Sequence, residues 1–357
     1  MAKVLAVALS GGVDSSVALQ LLKKDWSQIV GASHYIWKDS RCCTVETLNR
    51  ARYLCKINDI PYYKLDLSPQ FKVKVVDDFS NTYLMGQTPN PCVRCNERIR
   101  FSLFYETLKE RLREEGRLSE GDDLYFATGH YVKTEKTEDG YFLKRAKDTL
   151  KDQTYMLYRI PKKILEKMVF PLGDMTKAEV VSIAREEKMP SASARESQDA
   201  CFLDGGEYSD FLTEYTGRDD LSVPGIIMDT NGNALGQHKG YIHYTIGQRK
   251  GLGLGNGPWY VTEIRAKSNH IIVGRQEELG KREFTINDTN WFFHDEKESF
   301  SGSVKIRYQS KDVPCSVEKV GDDTYHVILE KPASVTPGQS AVFYDGEYLL
   351  GGGIIVA

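Results

Sequence analysis

A buried strand that runs directly into a glycine turn is the feature that most constrains how this chain can fold. Residues 3–9 (Lys-Val-Leu-Ala-Val-Ala-Leu) are almost wholly apolar, which is typical of a strand inside a parallel sheet. Residues 10–16 (Ser-Gly-Gly-Val-Asp-Ser-Ser) follow at once, and residues 15–24 then carry apolar side chains at helical spacing. The sequence therefore predicts a strand, a tight glycine turn and a helix in direct succession.

The alternation of strand and helix continues beyond the glycine turn. Residues 29–36 and 61–67 have the pattern of further strands, and residues 45–58 between them carry an apolar stripe at helical spacing. This order is typical of βαβ units, in which a crossover helix brings the next strand parallel to the last. We therefore expect an α/β fold with a doubly wound, mostly parallel sheet.

The second half of the chain has a different pattern. Helix signals fade after about residue 217, and short alternating runs from Val223 onward are separated by Pro-Gly, Asn-Gly and Asp-Gly turns. We expect three domains: an α/β domain over residues 1–207, a small β-rich central domain over residues 208–280, and an antiparallel β-barrel over residues 281–357.

The composition indicates a soluble globular protein. Its longest apolar runs are only as long as a strand, so we expect no membrane association. Met1 leads straight into the first strand without an export signal, which favours a cytoplasmic location. The net charge of −3 does not by itself indicate a nucleic-acid partner, although basic residues gather locally, as at residues 144–151.

The glycine turn has the composition of a phosphate-binding loop. Gly11 and Gly12 let the backbone turn and aim its N–H groups at an anion, and the N-terminus of the following helix adds a positive dipole. The loop serines can add hydroxyl donors, while Asp14 can orient the loop or help to hold Mg²⁺. No lysine closes the loop, so it suits pyrophosphate as a leaving group better than transfer of a γ-phosphate. The alternative is a tight turn rich in small residues.

A second small-residue turn is expected beside this loop. Gly129 and His130 end a predicted strand at residues 124–130. Because ligands of open α/β sheets bind at the carboxyl edge, we expect the backbone of Gly129 to contact the nucleotide. The alternative is an ordinary turn between a strand and a loop.

Three of the seven cysteines stand in informative contexts. Cys92 and Cys95 form a Cys-x2-Cys pair, which indicates a redox pair, half of a metal site, or a thiolate of lowered pKa. Arg94 and Arg98 are near enough in sequence to stabilise such a thiolate. With Cys201 as a third ligand, zinc would still need a fourth, whereas three cysteines also suit an iron–sulfur cluster with one open iron.

The other cysteines are interpreted mainly as small apolar residues. An odd total in a cytoplasmic chain argues against a disulfide framework. Cys55 lies on the apolar stripe of its helix and Cys315 lies in the β-rich tail, so both are expected to be buried. Cys42 and Cys43 are expected to be buried or to line the nucleotide cleft.

Two resemblances sharpen these expectations. The glycine loop resembles that of the PP-loop ATP pyrophosphatase superfamily, whose members attack the α-phosphate of ATP and release pyrophosphate. Six segments in order also make the whole chain similar to the tRNA-specific 2-thiouridylase family. These segments are residues 10–16, 88–91 with 95–96, 127–131, 151–155, 196–199 with 201–202, and 244–251.

The second resemblance implies thiolation of the wobble uridine in tRNAs for Lys, Glu and Gln. ATP would adenylate the C2 oxygen of the base, and sulfur would then replace AMP to give 2-thiouridine. Cys201 would carry a persulfide delivered by a cysteine desulfurase or a sulfur relay protein. Cys95 would assist release of the sulfur by forming a disulfide with Cys201, and Asp14 would act with ATP and Mg²⁺.

The resemblance also implies binding residues. The implied ATP contacts are Ala8, Leu9, Ser10, Gly11, Gly12, Val13, Ser15, Ser16, Tyr35 and Gly129. The implied contacts with the anticodon region of tRNA are Lys151, Asp152, Gln153, Arg307, Tyr308 and Gln339.

Two positions depart from the family pattern. Tyr35 stands at the position where the family has an adenine-contacting residue, which is usually Met. Cys92 stands where many members have Asp. With three thiols available, Cys92, Cys95 and Cys201 could instead bind a 4Fe–4S cluster whose open iron holds hydrosulfide, and the persulfide and the cluster remain alternatives.

Other functions are compatible with the glycine loop alone. A PP-loop synthetase that adenylates a small acid, such as an argininosuccinate, GMP or NAD synthetase, would need neither paired cysteines nor RNA-binding β domains. A regulatory RNA-binding protein that retains ATP affinity is a further alternative. The presence of Ser10, Asp14, Cys95 and Cys201 argues against a protein that has lost its activity.

Overall fold

The computed structural model of the protein describes residues 2–38, 44–138, 140–192, 200–203, 206–293 and 298–356. Cys42 and Cys43 lie outside the described residues, as do residues 196–199 of the predicted sulfur site. What the sequence predicts for these positions therefore stays a prediction.

Strands and helices alternate in the first part of the chain, and strands dominate the second. The strands are β1 (Lys3–Ala8), β2 (Ile29–Tyr35), β3 (Tyr62–Asp66), β4 (Asp123–Ala127), β5 (Lys133–Thr137), β6 (Gly140–Lys144), β7 (Met168–Val169), β8 (Gly225–Asp229), β9 (Ala234–His238), β10 (Tyr260–Arg265), β11 (His270–Gly274), β12 (Lys281–Trp291), β13 (Ser299–Lys305), β14 (Val313–Gly321), β15 (Thr324–Ala333), β16 (Ser340–Asp345) and β17 (Tyr348–Ile355). The α-helices are α1 (Val13–Leu22), α2 (Val45–Ile57), α3 (Ser68–Phe71), α4 (Asp77–Leu84), α5 (Pro91–Cys95), α6 (Phe104–Glu114), α7 (Thr154–Leu157), α8 (Lys162–Leu165), α9 (Lys177–Glu186) and α10 (Tyr208–Thr216). Lys72–Val76 and Asn96–Leu103 are π-helical stretches that join neighbouring helices.

The first sheet is parallel and has the order β3–β2–β1–β4–β7. Successive side chains of β1 enter two different cores, because Val4 and Ala6 pack with the helices on one face while Leu5 and Val7 pack on the other. Helices therefore cover both faces, and the predicted doubly wound α/β fold is confirmed. The strands end at one edge, where Ala8 pairs with Ala32 of β2.

The later strands form two further β structures, as the sequence predicts. A four-stranded sheet of order β10–β11–β8–β9 follows the α/β part of the chain, with Ile227, Val261 and Ile271 in its core. Strands β12 to β17 then form an antiparallel sheet that closes into a six-stranded barrel through the pairing of β12 with β17. In the described part of the chain, no helix has the length and apolar character needed to cross a membrane.

One hairpin of the α/β part joins the barrel sheet instead of the parallel sheet. Strands β5 and β6 pair with each other, and β6 meets β17 at the pair Lys144 and Tyr348. The backbone N–H of Arg145 also donates to the carbonyl oxygen of Glu347 at 2.9 Å. The sequence pattern does not predict this connection, because a hairpin carries no signal of which sheet it will join.

Candidate nucleotide and sulfur site

The glycine loop lies between β1 and α1, at the carboxyl edge of the parallel sheet. Gly11 adopts a φ of +72°, which favours glycine, and a Cβ atom there would lie 2.1 Å from the carbonyl oxygen of Thr47. The Arg50 side chain donates to the Gly11 carbonyl oxygen at 3.1 Å. Helix α2 thus holds the loop from outside, and only glycine fits at position 11.

Hydroxyl groups hold the loop from inside. The Ser15 hydroxyl accepts from the backbone N–H of Ser10 at 3.1 Å, and it donates to the Gly12 carbonyl oxygen at 3.2 Å. The Ser16 hydroxyl donates to the same carbonyl oxygen at 2.9 Å. The first-turn N–H groups of α1 have no carbonyl one turn earlier within the helix, so this end of α1 suits an anion such as phosphate.

The remaining predicted ATP contacts lie around this edge. Leu9 and Val13 are buried, so their side chains belong to the cores and only their backbone could face a ligand. Ala8 is half-buried at the end of β1, and Tyr35 is half-buried at the end of β2 with Lys64 Nζ 5.1 Å from its ring centre. The structure therefore brings these four residues to one edge.

Gly129 packs directly against the glycine loop. A Cβ atom at this position would lie 2.6 Å from both the Asp14 carbonyl carbon and the Ser15 nitrogen. Such contacts are far inside the normal limit, so any side chain would push the two backbones apart. The turn after β4 and the first turn of α1 therefore form one close-packed unit.

A lysine from a distant helix faces the loop. Lys177 begins α9, and its Nζ lies 2.7 Å from each carboxylate oxygen of Asp14. The Tyr131 hydroxyl donates to the same carboxylate at 2.8 Å. The loop sequence contains no lysine and does not predict that Lys177 lies opposite it. The available signal was the capping box of Thr176 and Glu179, which marks a helix N-terminus at Lys177 but not what lies opposite it.

His130 links the second turn to the helix that follows Cys95. Arg100 Nη1 lies 3.3 Å from its Nε2, and Thr128 Oγ1 lies 2.8 Å from its Nδ1. Because arginine can only donate, Nε2 accepts and Nδ1 carries the proton towards Thr128. Burial, aided by the Arg100 cation, lowers the pKa of His130 to about 3. His130 is therefore neutral at physiological pH.

Helix α5 carries two of the three predicted cysteines. Asn90 caps the helix by accepting from the N–H of Val93 at 3.3 Å, and Pro91 occupies its first turn. Cys92 is exposed, whereas Cys95 is buried at the edge of the main apolar core. The two thiols of the Cys-x2-Cys pair therefore have different surroundings.

Cys201 packs against the same apolar core as Cys95. Its neighbour Phe202 is buried, with ring centres 5.1 Å from those of Phe79 and Phe211. Two thiols far apart in sequence thus belong to one cluster, while Cys55 and Cys315 are buried as predicted.

The arginines near Cys95 pair with carboxylates. Arg94 contacts Asp288 at 2.6 Å and Glu97 at 3.0 Å, and Arg98 contacts Asp78 at 3.0 Å. Their charges are therefore largely neutralised by these partners. The expectation that Arg94 and Arg98 could stabilise a thiolate is not supported by these contacts.

The described residues do not group as a metal site requires. Within the ranges that the structure describes, no three His, Cys, Asp or Glu side chains come together in such a group. Cys92 is exposed while Cys95 is buried, so the two do not share one open face. As they lie in this structure, Cys92, Cys95 and Cys201 do not fit a 4Fe–4S cluster.

Three of the predicted tRNA contacts hold the loop before α7 in place. Asp152 is buried and accepts from the N–H of Ala146 at 3.0 Å. Gln153 accepts from the N–H of Tyr131 at 2.9 Å, and the Tyr308 hydroxyl donates to the Asp152 carbonyl oxygen at 3.2 Å. These residues fix the loop before α7 against the second turn and the barrel.

The other three lie at the borders of the barrel or in a loop. Arg307 donates to the carbonyl oxygen of Ile246 at 3.0 Å and thereby joins the barrel to the central sheet. Gln339 donates to the carbonyl oxygen of Thr88 at 2.9 Å. Lys151 is half-buried in the loop next to Asp152. Contact of these six residues with tRNA stays a prediction.

Matches to protein-family models agree with this architecture. Three family models match in succession: "tRNA methyl transferase HUP domain" over residues 3–205, "tRNA methyl transferase PRC-barrel domain" over 209–275, and "Aminomethyltransferase beta-barrel domain" over 281–355. Among solved structures, a 4-thiouridine synthetase in complex with RNA and ATP matches with a TM-score of 0.36 and 18% identity, over 56% of this chain and 44% of that one.

Curated relatives match over nearly the full length. The tRNA-specific 2-thiouridylase of Carboxydothermus hydrogenoformans is 41% identical, over 99% of this chain and 97% of the relative. One of Caldanaerobacter subterraneus is 42% identical, over 98% and 97% respectively. Likeness of this degree over whole chains shows common descent, and this chain belongs to the tRNA-specific 2-thiouridylase family of enzymes.

Proposed function

We propose that this protein uses ATP and Mg²⁺ to adenylate the C2 oxygen of the wobble uridine in tRNAs for Lys, Glu and Gln, and then replaces AMP with sulfur. Membership of the family supports the reaction and its substrate. The observation that carries the proposal is that Cys95 and Cys201 pack on one apolar core, in the domain that holds the glycine loop.

The nucleotide half of the reaction uses the edge of the parallel sheet. The first turn of α1 and the loop serines bind the phosphates of ATP, and Lys177 lies beside Asp14 as a cation for them. Asp14, together with the phosphates, would hold Mg²⁺, which when bound would neutralise charge that develops on pyrophosphate. The uridine C2 oxygen attacks the α-phosphate, pyrophosphate leaves, and the oxygen becomes part of a good leaving group, AMP.

The sulfur half uses the two thiols. A sulfur donor protein, either a cysteine desulfurase or a sulfur relay protein, supplies the outer sulfur of a Cys201 persulfide. That sulfur attacks C2 of the base, and AMP leaves with the former C2 oxygen. The Cys95 thiolate then attacks the Cys201 sulfur, so that the thiocarbonyl is released and a Cys95–Cys201 disulfide forms. A thiol reductant restores both cysteines.

The substrate must reach this site with its base exposed. A wobble uridine stacked in the anticodon cannot place C2 beside the α-phosphate, so the base is turned out of the stack. The proposed tRNA contacts are Lys151, Asp152, Gln153, Arg307, Tyr308 and Gln339. Tyr308 bonds to the backbone of Asp152 and Gln339 to that of Thr88, so these contacts lie where the barrel meets the α/β part of the chain. The reaction is proposed to take place in the cytoplasm.

Mass spectrometry of tRNA tests the proposal directly. The purified protein is incubated with tRNA, ATP, Mg²⁺ and a persulfide donor, and one O-to-S exchange at the wobble uridine is expected. Cys201→Ser and Cys95→Ser should abolish the exchange, whereas Cys315→Ala, in the barrel core, should retain it. No exchange in the wild type, with pyrophosphate released only on adding a small acid, would indicate a synthetase instead.

Iron analysis separates the persulfide from the cluster. Protein purified without oxygen should be active with a persulfide donor when it contains no iron, and Cys92→Ser should keep most of that activity. Activity that depends on bound iron and is lost in Cys92→Ser would contradict the persulfide route.

A further inference from the structure

The helix that carries Cys95 is held by the C-terminal barrel as well as by its own domain. Asp288 lies at a bulge in β12, with a φ of +47°. One carboxylate oxygen lies 2.6 Å from Arg94 Nη2, and the other lies 2.6 Å from Arg159 Nη2. Arg94 is the residue before Cys95, so this ion pair joins the barrel directly to α5.

The two arginines depend on this carboxylate because they have little access to water. The side chain of Arg159 is 6% exposed and that of Arg94 is 12% exposed, and both also contact Glu97, at 2.7 and 3.0 Å. Burial alone would raise the pKa of the Asp288 carboxyl, yet Arg159 and Arg94 hold that pKa below its usual range. Removing the Asp288 carboxylate would leave the two buried arginines with Glu97 as the main partner of both.

A second contact holds the loop before α5 to the barrel. Gln339 Nε2 donates to the carbonyl oxygens of Thr88 and Pro89 at 2.9 and 3.2 Å. The Thr88 N–H donates to the carbonyl oxygen of Pro337 at 2.9 Å, and a Cβ atom on Gly338 would lie 3.0 Å from Thr88 backbone atoms. The barrel therefore contacts this segment at two places: at Thr88 and Pro89 before α5, and at Arg94 within α5.

We propose that Asp288 is a positioning residue for Cys95: through Arg94 and Arg159, the barrel sets the burial and orientation of the Cys95 thiol. The role of Cys95 in sulfur transfer rests on the proposed function, but the placement of its thiol does not. Cys201 provides an internal reference, because the two arginines that pair with the Asp288 carboxylate, Arg94 and Arg159, lie in other segments of the chain. The barrel thus acts on sulfur chemistry through the helix that it holds.

Alkylation of the thiols without tRNA tests this placement. Wild type, Asp288→Asn and the control Asp322→Asn, an exposed aspartate on the same barrel, are treated with iodoacetamide and analysed by peptide mass spectrometry. Loss of the pairing should loosen α5, so Cys95 in Asp288→Asn is expected to react about tenfold faster. Cys201 should change little, Asp322→Asn should match wild type, and Asp288→Glu should restore most of the protection.

Further measurements keep the outcome decisive. Circular dichroism shows whether Asp288→Asn is folded at the assay temperature, and Gln339→Ala removes the second contact without leaving a buried charge unpaired. Faster reaction of Cys95 alone in the folded variants supports the proposal. An unchanged Cys95, or equal acceleration of Cys95 and Cys201, overturns it. If Cys95 responds as expected but wild type transfers no sulfur to tRNA, the positioning role stands and the proposed function fails.

Discussion

Lys177 Nζ lies 2.7 Å from both carboxylate oxygens of Asp14, so the first residue of α9 forms an ion pair with the glycine loop between β1 and α1. A loop without its own lysine therefore obtains a cation from a residue 163 positions away. When phosphates occupy the loop, this cation has two anionic partners within reach, the carboxylate and the nucleotide.

We first predict that Lys177→Met weakens ATP binding. Loss of a charge-assisted bond of about 1.5–3 kcal/mol should raise the Kd for ATP by roughly 10- to 100-fold. Calorimetric titration with ATP and Mg²⁺ measures the effect. Arg185→Met, which removes an exposed cation from the same helix, is the control and should bind normally. Equal Kd values for wild type and Lys177→Met would contradict a role for Lys177 in binding.

The second prediction concerns the contact between the two turns. Gly129→Ala places a methyl carbon 2.6 Å from backbone atoms of Asp14 and Ser15, so the loop must move and ATP binding should fall at least as far as in Lys177→Met. Gly255→Ala is the matched control, because nothing lies within 4 Å of a Cβ atom there. The same titration measures both variants, and normal binding by Gly129→Ala would show that the loop tolerates displacement.

The third prediction follows from the neutral state of His130. Its pKa is lowered from 6.5 to about 3 in the folded protein, so between these values the unfolded chain binds a proton that the folded chain does not. Stability must therefore fall as pH decreases from 6.5 towards 3, by up to about 2 kcal/mol between pH 7 and pH 5 from this residue.

Urea unfolding of wild type and His130→Asn at both pH values isolates this effect. The wild type should lose more free energy of unfolding than the variant as pH falls, because Asn does not titrate. Identical losses in the two proteins would mean that His130 titrates normally in the folded state.

Our fourth prediction separates the sulfur site from the nucleotide site. Phe202 is buried among aromatic rings next to Cys201, and Phe202→Ala removes a side chain whose loss in a core typically costs about 3–5 kcal/mol. The Cys201 segment should lose its anchor, so sulfur transfer should fall steeply while the Kd for ATP stays near the wild-type value. Phe202→Leu, which keeps most of the apolar volume, should be affected less. Parallel loss of both functions would instead indicate general unfolding.

The parallel sheet could be predicted because its strands are buried on both faces and its turns carry glycine. Residues 3–9 and 10–16 contain this information locally, and β1, Gly11 and α1 follow it closely. The alternating runs after Val223 predicted β structure for the same reason. Local pattern therefore identified which elements form and where the nucleotide loop lies.

What the sequence did not predict depends on contacts between distant residues. Lys177 faces Asp14 only because α9 packs beside α1, and β5 and β6 join the barrel only because β17 has a free edge there. The sequence spacing places Arg94 and Arg98 near enough to stabilise a thiolate, yet both pair with carboxylates instead. These belong to Asp78 of α4, Glu97 of the π-helical stretch Asn96–Leu103, and Asp288 of β12. Tertiary packing determines such pairings, so the sequence pattern of a short segment does not predict them.

The contacts that hold Thr88 and Arg94 to the barrel span 251 and 194 residues of sequence. During synthesis the nucleotide loop can reach its partners long before Asp288 and Gln339 exist, because strands β1 to β4 are made first. The contacts of Thr88 and Arg94 with the barrel can form only after the ribosome has made Gln339 and Asp288. In a nascent chain, the contacts around the glycine loop can therefore form before the contacts that join α5 to the barrel.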